Sequence, residues 1–106
     1  MSRLHSLVNP LFTMLILVVY DLHDARRRAR LSRLLRAYGT RVQNSVFECH
    51  LEAHQFRQLY KRINLLLSEP QPEESIRIYP LTRQSQKRIR YWGNSPLTED
   101  PPYYLV

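Results

Sequence analysis

The stretch MLILVVYDLHD, Met14 to Asp24, decides how the chain is read. Met14–Tyr20 is a continuous apolar run in which Ile16, Val18 and Val19 are β-branched. A short apolar run bounded by polar residues fits a strand buried on both faces, or a piece of buried helix. Its length and β-branching favour the strand. The run stops at Asp21, which puts a carboxylate at the lip of the core. Directly after it comes ARRRARLSRLL, Ala25–Leu35, an arginine-rich helix. An acid at a strand end with cations one turn away suits a metal ion and a phosphodiester. It equally suits an ordinary ion pair.

Working outward, Asp24 or His23 caps the first helix, read at about Asp24–Tyr38, and Gly39 closes it. Leu31, Leu34, Leu35 and Tyr38 fall at i, i+3, i+4 and i+7 and mark its core face. Arg26, Arg30 and Arg33 lie opposite, where a solvated polar face is the plain reading. Arg27 and Arg28 project on or beside the core stripe in the first turn, toward the neighbourhood of Asp21. A structural ion pair with Asp21 and a grip on a nucleic-acid phosphate are the two readings for them.

Phe47, Cys49 and Leu51 alternate with Glu48 and His50, the pattern of a half-buried strand. Val42 sits in a shorter strand before it, with Gln43–Ser45 as the tight connection, so Thr40–Leu51 reads as a hairpin. Ala53–Ser68 is a second amphipathic helix, carried by Phe56, Leu59, Tyr60, Ile63, Leu66 and Leu67. The polar loop Glu69–Ser75 carries two prolines, and Ser75–Leu81 is another strand, with Pro80 suited to an edge. Strand, helix, strand, strand, helix, strand is the split βαβ order. It predicts an α+β, ferredoxin-like βαββαβ sandwich with two helices on one sheet face. The other face is left for a partner. Residues 14–81 form this domain, 1–13 an N-terminal extension ending near Pro10, and 82–106 a C-terminal tail. In that tail Lys87–Trp92 alternates and is a candidate fifth strand, on its own sheet or on a second protomer's.

At 106 residues this is one domain, small enough to gain from pairing with a copy of itself. The formal charge is +7, and 14 of the 16 cationic residues are arginine. Arginine makes planar bidentate contacts to phosphate, so the excess favours nucleic acid over mere solubility. Cys49 is the only cysteine, which excludes an intrachain disulfide and fits a reducing cytoplasm. Its apolar surroundings predict a buried, inert thiol. The N-terminal apolar run lacks a small-residue cleavage site and is too short for a bilayer, so no membrane role is expected. There is no P-loop, no GxGxxG and no CxxC. His50 and His54 are four apart but straddle a strand-to-helix junction, which argues against zinc. One chain does not gather enough acids for a Mg²⁺ site. A homodimer could, if two copies of Asp21 met across a two-fold axis.

LVVYDL followed by the arginine-rich helix, then GTRVQNSVFEC, then SIRIYPL, resembles the CRISPR-associated protein 2 family. The resemblance covers about Met14–Leu81. It implies a cytoplasmic ferredoxin-like homodimer working in CRISPR spacer acquisition, as the central dimer of a complex with the CRISPR-associated integrase. It also implies Mg²⁺-dependent endonuclease activity on single-stranded RNA or on DNA. By position, Tyr20 and Asp21 correspond to the catalytic pair, with Asp21 as metal ligand. Arg28 and Arg30 correspond to the helix arginines, and Arg41 and Phe47 to the hairpin residues that meet nucleic acid. Ala25 stands where the family often has a second acid. Two other readings stay open beside it: a toxin-type ribonuclease or regulatory domain unrelated to integration, and a structural adaptor without chemistry.

Overall fold

A computed structural model of the chain describes residues 13–95 and 97–99. The extension read at 1–13, apart from Thr13, lies outside the described residues, as do Pro96 and residues 100–106 of the tail. In chain order the elements are β1 (Met14–Asp21), α1 (Ala25–Arg36), β2 (Thr40–Gln43), β3 (Val46–Leu51), α2 (Ala53–Leu67), β4 (Ser75–Leu81) and the short α3 (Arg83–Gln86).

The apolar run forms β1, and β1 takes a central place in a four-stranded sheet of order β2-β3-β1-β4. It pairs antiparallel with β3, Val18 opposite Phe47, and antiparallel with β4, Val18 opposite Ile78. Side chains alternate along a strand. Ile16, Val18 and Tyr20 therefore turn toward the helices and are buried, while Leu17 and Val19 on the other face are only half-buried. The expectation of a strand sealed on both faces is corrected to that extent. α1 and α2 supply Leu31, Leu35, Leu59, Ile63 and Leu67 to the core beside Phe47 and Cys49. Each such burial contributes about 1.5–3 kcal/mol against leaving the side chain in water. Tyr60, read as part of the core stripe of α2, is 56 % exposed.

Asp24 caps α1, its Oδ1 accepting from the backbone N–H of Arg26 at 2.7 Å and of Arg27 at 3.2 Å. Gly39 matters for a different reason from the one expected. A Cβ there would stand 2.3 Å from the Glu48 carbonyl oxygen and 2.8 Å from Cys49 Cα. The glycine lets the chain leaving α1 press against β3.

The candidate fifth strand at Lys87–Trp92 does not form within the chain. Thr82 Oγ1 accepts from Ser85 N and starts a helical turn. The backbone donors of Arg88 and Ile89 are then taken by the carbonyls of Ser85 and Gln86. Ladder donors are used up locally, and Ile89 and Tyr91 stay exposed.

Candidate functional site

The end of β1 is tied to the hairpin. Tyr20 N donates to Ser45 O at 3.0 Å, and Tyr20 Oη donates to Asn44 O at 3.2 Å. The Tyr20 ring stacks on Phe47 with centroids 6.4 Å apart. Across the hairpin, Arg41 lies opposite Phe47, and the register shifts between Arg41 and Gln43. Such a bulge re-aims a side chain. The Arg41 guanidinium sits 5.2 Å above the Phe47 ring, donates from Nη1 to Asn44 O at 2.7 Å, and from Nη2 to Ser32 Oγ on α1. It is exposed but held.

Arg28, on the first turn of α1, donates from Nη1 to Leu22 O at 3.1 Å and His23 O at 2.8 Å. Ser32 and Arg36 follow it at i+4 and i+8, on the same side of the helix. With Arg33 these residues line a cleft of about 530 Å³ between α1 and the hairpin, whose walls include Tyr20, Arg41 and Asn44. Four guanidinium groups and no carboxylate line it. Such a lining repels metal cations and suits a phosphodiester backbone.

Asp21 is elsewhere. Alternation turns it to the sheet face away from the helices, opposite Ser75 of β4, and it is exposed. Its carboxylate makes no hydrogen bond or ion pair among the described residues. The ion pair expected with Arg27 or Arg28 is therefore not made. Arg27 reaches the loop before β4 instead. Its Nε donates to both Glu74 carboxylate oxygens at 3.1 and 3.2 Å, and Nη2 lies 2.9 Å from Oε1. Nη1 and Nη2 also meet the carbonyls of Leu67 and Glu69 at the end of α2. Burial works to raise the Glu74 carboxyl, but the hydrogen bonds from Arg27 and Gln71 N and the Arg27 and His23 charges hold it below its usual value.

Two of the sequence-read contacts with nucleic acid are thereby corrected. Arg27 is a clamp between α1, α2 and β4, with its side chain 16 % exposed. Phe47 is fully buried and serves as the floor under Arg41. Arg30 lies on another side of α1 from Arg28 and Arg41, in the groove facing α2. Arg36, Ser32 and Asn44 were missed as site residues, although the Arg28–Ser32–Arg36 spacing was a signal for the first two.

The metal-ligating residues are sparse. No group of three or more His, Cys, Asp or Glu that could hold an ion occurs among the described residues. Asp24 is committed to its cap. At the end of β1 the chain offers Asp21 alone, so its described residues do not fit a divalent cation. Cys49 is buried, and burial, helped by the Glu48 charge, pushes its thiol from 9.0 up to about 12.

Fold and cleft together define a ferredoxin-like α+β protein with an arginine-lined groove beside its central strand. The chain belongs to the family described as CRISPR associated protein Cas2, whose model matches residues 14–89. A CRISPR-associated endoribonuclease Cas2 of Synechocystis sp. is 40 % identical over 92 residues, covering 87 % of this chain and 98 % of that one. The crystal structure of Streptococcus pyogenes Cas2 superposes with a TM-score of 0.61 at 33 % identity, covering 76 % of this chain and 100 % of that one. A chain of a solved partial Cas6-RT-Cas1–Cas2 complex gives 0.62 at 36 % identity, covering 74 % of this chain and 89 % of that one. No helix of the described residues is long and apolar enough to cross a membrane.

Proposed function

We propose that this chain is a CRISPR spacer-acquisition protein, a dimeric nucleic-acid-binding subunit that partners a CRISPR-associated integrase and carries metal-dependent endonuclease activity. The acid-free cleft around Arg28, Arg33, Arg36 and Arg41 is the observation that carries the reading. The relatives named as endoribonucleases and the neighbour found in a Cas1–Cas2 complex support it. The cleft takes the phosphate backbone of duplex DNA or single-stranded RNA, because guanidinium forks match phosphate oxygens. The partly apolar sheet face that bears Leu17, Val19 and Asp21 pairs with the same face of a second copy, in the cytoplasm.

Pairing supplies what one chain lacks. Asp21 from each protomer would hold Mg²⁺, which supplies charge neutralisation at the scissile phosphate and an activated water. Tyr20 positions the strand end through its bond to Asn44 O. Sedimentation should give twice the chain mass, and the integrase should co-purify. Incubation of duplex DNA and single-stranded RNA with and without Mg²⁺ tests the chemistry. Mg²⁺-dependent cleavage that vanishes in Asp21→Asn is expected. Cleavage that persists in Asp21→Asn removes the site, and a monomer in sedimentation removes the shared ion.

A further inference from the structure

The second long side of α1 carries a different surface from the cleft. Between α1 and α2 runs a groove of about 490 Å³ lined by Arg30, Arg33, Leu34, Arg62, Leu65 and Leu66. Its floor is leucine. Leu65 is 74 % exposed, and Leu34 and Leu66 are half-buried beside it. Leu65 thus extends into solvent an apolar strip that Leu34 and Leu66 continue down to the core. Its rim is arginine. The guanidinium groups of Arg30 and Arg33 make no hydrogen bond or ion pair among the described residues. Arg62 is already fixed, with Nη1 donating to Tyr38 Oη at 3.2 Å and its guanidinium 5.9 Å from the Tyr38 ring centroid. No acidic residue lines the groove.

The chemistry of an occupant follows from the two halves. A phosphodiester would satisfy the guanidiniums and leave the leucines in water. A purely apolar helix would cover the leucines but desolvate three cations with no counter-charge. A segment with apolar anchors flanked by carboxylates satisfies both. We propose that the α1–α2 groove docks an acidic amphipathic segment of a partner protein. Its apolar side chains rest on Leu34, Leu65 and Leu66, and its carboxylates face Arg30, Arg33 and Arg62. This is the helix-in-groove mode of recognition. It shares Arg33 with the cleft that carries the nucleic-acid reading, so its test rests on Leu65 and Arg30, which line the groove and not the cleft.

The test uses the full chain and a labelled synthetic helix of about four turns, leucines at i, i+3, i+4 and i+7 and glutamates elsewhere. Fluorescence anisotropy should show saturable binding, weakened about tenfold or more by Leu65→Glu and also by Arg30→Glu. The same peptide with glutamine for glutamate should bind about tenfold more weakly. Duplex DNA affinity should not change in Leu65→Glu. Leu65 is mostly exposed, so the variant keeps the fold, which circular dichroism verifies. Peptide affinity unmoved by Leu65→Glu overturns the proposal. So does a parallel loss of DNA affinity, which would give the groove to nucleic acid. A loss of dimer in Leu65→Glu would give it to a second copy and overturns the proposal as well.

Discussion

Tyr20 and Asp21 are neighbours in the chain and face opposite sides of the sheet. Tyr20 is 5 % exposed, packed against Phe47 on the helix side, and Asp21 stands exposed across from Ser75 on the other side. A period of two along the strand makes this unavoidable. Phosphate binding through the arginine cleft and chemistry at Asp21 are therefore separable. Asp21→Asn should change the stability of the single chain, measured where it is monomeric, by no more than about 0.5 kcal/mol, as for other exposed, unpaired surface positions. Urea denaturation checks it. A larger loss would mean that the carboxylate is structurally engaged.

Gly39→Ala should destabilise the chain by about 1–3 kcal/mol, the usual cost of forcing atoms into a packed site. The new methyl would meet the Glu48 carbonyl and the Cys49 backbone, and neither can swing away as a side-chain end can. Chemical denaturation measures the loss.

Acid should weaken the fold within a defined window. Backbone donors of Arg27 and Arg26 hold Asp24 below its ordinary 3.8, and Glu74 is held below its ordinary 4.5. The unfolded chain, with its ordinary values, takes up protons first as pH falls. The stabilisation is complete above about pH 4.5 and is lost as pH drops through the lowered folded values. Denaturation midpoints measured downward from about pH 5 should fall, and Glu74→Gln should flatten the decline.

Cys49 should resist alkylation at mildly alkaline pH in the folded chain, because a thiol pushed up to about 12 carries almost no thiolate. Iodoacetamide followed by mass measurement should show modification only after denaturant is added.

Much of this was legible before the fold was known. Ser75–Leu81 was bounded correctly, because a polar, proline-containing loop precedes it and alternation carries it. The helix starts followed from Asp24 and from the end of the Phe47–Leu51 alternation. The strand-end position of Tyr20 and Asp21 came from the apolar run itself. What the sequence hid was pairing across distance. Arg27 sits one residue from Arg28, and nothing local says that one takes Glu74, 47 residues away, while the other takes carbonyls beside it. Phe47 received two incompatible readings, a buried strand position by alternation and a nucleic-acid contact by resemblance. The alternation was the physical one, and the fully buried ring supports Arg41 from below. The Ile89 and Tyr91 alternation forms no strand within the chain, because period two needs a neighbouring strand edge and the helical turn takes the donors of Arg88 and Ile89; the sheet of a second copy remains open to it.

The central claim is that phosphates lie in the cleft between α1 and the hairpin, and the salt dependence of duplex DNA affinity tests it most directly. If about six to ten phosphates are neutralised, affinity should fall on the order of 10³–10⁵-fold between about 50 and about 200 mM salt, whatever the sequence. Arg28→Gln and Arg36→Gln should each lower the slope of log affinity against log salt by about one. Arg27→Gln should leave the slope as it is, since that guanidinium is spent on Glu74. A slope that drops with Arg27→Gln and ignores Arg28 and Arg36 would contradict the assignment of the cleft.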